Sequence, residues 1–244
     1  MRRTLLVLIV ALWAFAPVSA RVPFAVAYVN GNIATGSATD TAQVVLNGVT
    51  SGNALVVSIG HGGATTTVTS LVDDASNTYT SRCGRTFLTN AGGVTMFTAT
   101  NVTGGNLTLT LTLSATAADI IFAVEEYSGV SGYDAASAGS TGTSTTPLTT
   151  ITTVAANAMI VGGFQYQGTG STFTNGSGYT TRHTAAPGIR HAVEDQLVTS
   201  ATSYNVDGTI TSAAWTACAV SLSPSASASF IPGIINAPIR GGGR

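Results

Sequence analysis

Leu107, Leu109, Leu111 and Leu113 alternate with Thr108, Thr110 and Thr112. A period of two puts leucine on one face of a pleated strand and threonine on the other, so the stretch reads as a half-buried strand. The same pattern recurs along the chain, where apolar or Thr-rich runs are separated by Gly, Asn and Asp clusters and no helical period of comparable length competes. With 40 Thr and 28 Gly in 244 residues, composition points the same way, because the branched Cβ of Thr is stiff in a helix and at ease on a pleated sheet. Asp73-Asp74 before Ala75-Ser76-Asn77, and Gly104-Gly105 before Asn106, supply turn chemistry between strands. No proline lies between Phe24 and Thr146, so every amide there can donate to a ladder. The expected fold class is all-β, an antiparallel sandwich.

The pattern occurs twice. Setting Asn53 over Asn157 aligns GNALVVSIG with ANAMIVGGF; NTYTSRC from Asn77 then meets SGYTTRH from Ser177, and AADIIFAVEEYS from Ala117 meets SAAWTACAVSLS from Ser212. Residues 39–128 and 143–223 therefore read as two versions of one unit, forming either a pseudo-symmetric sandwich or two tandem sandwiches. Ile120, Phe122 and Val124 face one way while Ile121, Ala123 and Tyr127 face the other, which predicts a central strand. Trp215 takes the place of Ile120 in the second copy and reads as core.

The motifs GNALVV, VTSLVDDASNTYT, NVTGGNLTLTL and VEEYSGV, with the later echo SGYTTR, resemble a family of poorly characterised exported bacterial and phage-associated β-sandwich proteins, over about residues 26–223. That resemblance implies a jelly-roll-like fold and a cell-surface or virion setting. It brings no catalytic residues with it.

The N-terminus carries Arg2 and Arg3, an apolar run from Leu5 to Ala16, Pro17, and Val18-Ser19-Ala20. This is the layout of a secretory signal peptide over residues 1–20, with the apolar run too short for the roughly 20 residues that cross a bilayer. The expected organisation is this leader, a β-sandwich domain over residues 21–223, and a flexible Ser/Ala/Gly/Pro tail over 224–244. The apolar FIPGIINAPI segment of that tail is a candidate docking peptide for a neighbouring subunit. Nine Arg, no Lys and ten acidic residues give a net charge of -1, which argues against a nucleic-acid partner. Cys83 and Cys218 have no CxxC spacing; an oxidising compartment would permit a bond between them, and two separate buried thiols is the other reading.

Signals for catalysis are sparse. Glu125 and Glu126 are adjacent on a strand and must point to opposite faces, so they cannot act as a glycosidase pair; a strand end where both reach solvent or an Arg is the expected setting, the other reading being that one of them lies against the core with its pKa raised by desolvation. Glu194 with Asp195 meets the same objection, and His191 beside them lacks a nucleophile elbow. His61, His183 and His191 lack metal-ligand spacing. Asp73, Asp74 and Asn77 offer fewer oxygens than Ca²⁺ takes and read as an Asx turn. No metal or cofactor is expected. Arg82 and Arg182 occupy matching positions and read as structural pins for a carboxylate or a ring.

The segment from Gly162 to Phe173 gathers Phe164, Gln165, Tyr166, Gln167 and Phe173, and reads either as a loop presenting aromatic and amide side chains to a sugar or as a hairpin loop whose aromatics tuck back onto the sandwich. Tyr133, in a Gly/Ser-rich bridge between the units, is a second candidate. The functional expectation is a non-catalytic, secreted, cell-surface or virion-associated structural module whose partners are neutral glycans or neighbouring protein subunits. The alternatives are a glycan-active hydrolase using acids from separate strands, such as Glu126 and Asp195, and a self-assembling fibre subunit docked through its tail.

Overall fold

A computed structural model describes residues 25–63, 66–87, 92–168, 170–186 and 188–226. The leader expected at 1–20 and nearly all of the tail lie outside the described residues. Every regular element described is a strand, every pairing is antiparallel, and the class expected from the Leu/Thr alternation is the one observed.

Each half is a sandwich of one large sheet and one small leaf. In the first half β1 (Ala27–Val49) and β6 (Gly105–Ser128) are long enough to serve both layers. Residues 27–37 and 119–128 of this pair join β2 (Ala54–Gly62), β5 (Gly92–Ala99) and β4 (Thr80–Thr86) in the order β1-β6-β2-β5-β4. An irregularity between Thr39 and Thr41 ends that stretch, and residues 41–49 and 105–112 continue as a leaf with β3 (Val68–Asp73). Leu107, Leu109 and Leu111 of the leaf share one core with Leu55, Val57 and Ile59 of the sheet, so the leaf folds back over it.

The second half repeats this order with its long strands cut. β7 (Val130–Ala136) and β8 (Ser140–Ser144) both pair β15 (Ala213–Pro224), followed by β10 (Met159–Tyr166), β13 (Arg190–Leu197) and β12 (Thr180–Ala185). β9 (Leu148–Thr152), β14 (Ser203–Thr209) and β11 (Thr174–Asn175) form its leaf. The repeat therefore starts further upstream than residues 39 and 143. The Gly/Ser-rich bridge is a pair of edge strands matching the first part of β1, and Gly142 lies so close to the Trp215 ring of β15 that a Cβ there would collide with it. Pro224, assigned to the tail, still pairs with Val130.

The register between the halves differs by one residue from the alignment of Asn53 with Asn157. The Val102 amide donates to the Asn53 carbonyl at 3.0 Å and the Val198 amide to the Ala158 carbonyl at 2.9 Å, which makes Asn53 and Ala158 equivalent. Positive φ at Gly52 (89°) and Asn157 (56°) marks the same turn position. A one-residue slip exchanges the two faces of a strand. In the observed register Leu55 and Ile160 both face their own half's core, while Val56 and Val161 both face the other half.

Those inward faces of the two large sheets pack together. Val56, Met96 and Tyr127 of the first half meet Met159, Val193 and Val220 of the second in a central apolar seam. The chain is thus two sandwiches fused through their large sheets. Matching arginines stitch the flanks: Arg82 lies 3.8 Å over the Tyr133 ring of the second half, and Arg182 lies 4.0 Å over the Tyr28 ring of the first. Both sit at the irregular position of equivalent edge strands, and their Nε groups donate to Thr98 and Asp195, which are themselves equivalent. Cys83 and Cys218 are bonded across the seam with Cα atoms 5.8 Å apart. At the position matching Cys83 stands His183, and there the bond is replaced by a polar cluster with Glu125.

Candidate ligand clefts

The aromatic loop expected from Gly162 to Phe173 does not exist as such. Phe164, Gln165 and Tyr166 belong to β10, hydrogen-bonded to β13 on one side and β15 on the other. The strand is central in its sheet, and Phe164 and Gln165 are 0% exposed and closed to any ligand, whereas Tyr166, 2% exposed at the strand end, borders a cleft of the second half. Gln165 is engaged with the His61 backbone, accepting from its N–H at 3.0 Å and donating to its carbonyl at 2.9 Å. The Gln167 amide donates to the Ala214 carbonyl and its side chain is half-buried. Phe173 lies on Phe164 with ring centroids 5.0 Å apart. Tyr133 lies on β7 beneath Arg82. The exposed loop is therefore corrected: Phe164 and Gln165 are core, Tyr133 is a seam clasp, and of these aromatics only Tyr166 and Phe173 border a cleft.

The carboxylates are also placed differently from a strand end open to solvent. Glu125 and Glu126 are both fully buried, on opposite faces of the first sheet. Glu126 accepts from the Thr50 amide at 2.8 Å and from Asn53 Nδ2 at 2.6 Å, holding the turn before β2. Glu125 faces the seam, 3.4 Å from His183 Nε2, and a Cβ on Gly31 would collide with its carboxylate. Asp195 accepts from Arg182 Nε at 2.7 Å and from the Tyr127 hydroxyl at 2.9 Å. Glu194 turns into the second core, where its carboxylate accepts from the Gly176 amide at 3.2 Å. Glu126 and Asp195 do not converge on a common space. Burial pushes Glu125 up to about 7 and Glu194 up to about 8, and drives His191, which shares a 3.0 Å hydrogen bond with Ser58, down to about 3.

The Asx turn at Asp73 is present. Asp73 Oδ1 accepts from the amides of Ala75 and Asn77, and its Oδ2 accepts from Asn77 Nδ2 and the Tyr79 hydroxyl. This turn fixes Tyr79 against a feature the sequence did not disclose, an open cleft of about 460 Å³ between β3 of the leaf and β4 and β5 of the sheet. Leu71, Tyr79 and Phe97 form its apolar floor, hydroxyls of Thr69, Ser81 and Thr95 stand around it, and Arg85 is the cation in the lining. Imidazole of His61 also lines it, kept neutral by burial, which lowers its pKa. The equivalent opening of the second half is about 310 Å³. It is smaller because Phe173 is wedged against Phe164 and Tyr166 in space that Gly208 leaves free; a Cβ there would collide with the ring. In the first leaf Leu71 pairs with Leu111, and there the cleft is open.

No single motif could have revealed the first cleft, since its lining comes from β3, β4 and β5 and from the connections between them. Comparison with protein-family models, with curated proteins and with solved structures finds no match to this chain.

Proposed function

We propose that the protein is a non-catalytic exported module, displayed at a cell or virion surface, that holds a glycan in the cleft of its first half. The observation that carries this reading is the lining itself, an aromatic and apolar floor ringed by threonine and serine hydroxyls, which suits the apolar face and the hydroxyl edge of a sugar ring. The buried acids support a non-catalytic role, because Glu126, Glu194 and Asp195 each accept hydrogen bonds that hold the fold. A disulfide joining the halves supports export, since such bonds persist in oxidising compartments.

The test is binding of the secreted protein to a panel of glycans, repeated with Ser81→Ala and Thr95→Val combined. These changes remove two hydroxyls without opening the core and are expected to weaken the bound glycan about thirtyfold, at about 1 kcal/mol for each hydrogen bond lost. Ser203→Ala, on the outer leaf of the other half, is expected to leave affinity unchanged. No binding across the panel, or a double variant that binds like the parent, overturns the reading.

A further inference from the structure

Four arginines stand among the described residues, two in each half, and they serve two different places. Arg82 and Arg182 are committed to the seam, each over a tyrosine ring and donating to a neighbouring strand. The other two, Arg85 and Arg190, stand one in each cleft, and neither has a carboxylate partner among the described residues. We propose that the second-half cleft binds a carboxylate-bearing sugar, a uronate unit of an acidic polysaccharide, with Arg190 as the anion contact. This deepens the glycan reading and rests on it.

The geometry is that of a small, one-sided site. Arg190 Nε donates to the Gly168 carbonyl at 2.6 Å, which fixes the guanidinium plane and leaves its two terminal nitrogens without an acceptor among the described residues. A planar fork of this kind matches a planar carboxylate through two parallel hydrogen bonds. Beside it the rings of Phe173 and Tyr166, 6.2 Å apart and tilted by 30°, wall the cleft, and the exposed Thr172 and Thr184 stand at its rim. No acid lines it among the described residues. At about 310 Å³ it falls at the small end of ligand pockets, which favours one sugar ring over a chain segment.

The experiment is calorimetric titration of the full chain with an oligogalacturonide, with a neutral oligosaccharide of the same length, and with a sulfated sugar. The expected result is that the uronide binds, that Arg190→Gln weakens it tenfold or more, and that Arg190→Lys falls between. Neutral-sugar binding and the thermal midpoint are expected to be unchanged in both variants, which separates loss of the contact from loss of the fold. Uronide affinity unaltered in Arg190→Gln, or a sulfated sugar binding more tightly than the uronide, overturns the proposal. Binding of a neutral glycan without binding of the uronide overturns the proposal and leaves the first-cleft reading standing, whereas a protein that binds no saccharide loses both.

Discussion

Replacing Cys83 and Cys218 together by alanine is expected to lower the stability of the protein by about 5 kcal/mol. The two residues are 135 positions apart, and in the chain-entropy model a loop of that size stabilises the folded state by about this amount. Nothing else covalent joins the two sandwiches apart from the single connection through Gly129. Each half keeps its own apolar core, around Leu109 and Phe122 in the first and around Phe164 and Trp215 in the second. What the bond holds together is the seam between them. Loss of the bond is therefore expected to uncouple the halves, so that in a chain lacking residues 1–20, and with them Trp13, denaturant unfolding monitored by the fluorescence of Trp215 in the second half no longer coincides with the transition seen by far-ultraviolet dichroism. An unchanged midpoint with coincident probes in the double alanine variant would refute this account of the seam.

The alternation of Leu and Thr made strand β6 and the fold class legible, because a period of two belongs to the backbone and needs no knowledge of partners. The duplication was legible for the same reason, down to the matching arginines. Its register was not. Asn53 and Asn157 look alike as letters, but the turn selects residues by positive φ, and there Gly52 and Asn157 do the same work. The misreading of the Gly162–Phe173 segment has a related cause. Gly162 and Gly163 look like loop punctuation, yet each stands where the opposite layer comes too close for a side chain: Val206 crowds one and Ser58 crowds the other. Gly there thins the central strand so that layers can approach, and the aromatics that follow are core. The seam was invisible for a further reason. Glu125, His183 and Asp195 come from β6, β12 and β13, and only the face-to-face packing of two sheets brings them together. The same holds for the first cleft, whose threonines are indistinguishable in sequence from those that simply face solvent.

Burial of those acids has a consequence for pH. In the unfolded chain a glutamate titrates near 4.5, whereas in the folded protein Glu125 does so at about 7 and Glu194 at about 8. The folded state therefore holds protons that the unfolded state has already released, and stability present below about pH 4.5 is lost progressively as pH rises through the folded values. His191 acts in the opposite direction. Its folded value of about 3 lies below the 6.5 of a free imidazole, so its contribution is present above pH 6.5 and is lost as pH falls toward 3. Two acids outweigh one base between pH 4.5 and 6.5, and maximal stability is expected at mildly acidic pH. The decline from pH 5 to pH 8.5 is expected to be several kcal/mol, of which Glu125 supplies roughly 3. Glu125→Gln removes its share, since the amide carries no charge to desolvate, and Glu194→Gln removes the other while an amide oxygen can still accept from the Gly176 amide. Thermal unfolding followed across this range is expected to show a midpoint that falls with alkalinity in the parent, whereas in the double glutamine variant, where His191 acts alone, it rises from pH 5 to about 6.5 and is level above that. A parent midpoint that rises from pH 5 to pH 8.5 would mean that both carboxylates are solvated or paired in solution, and that the seam and the second core are not packed as described.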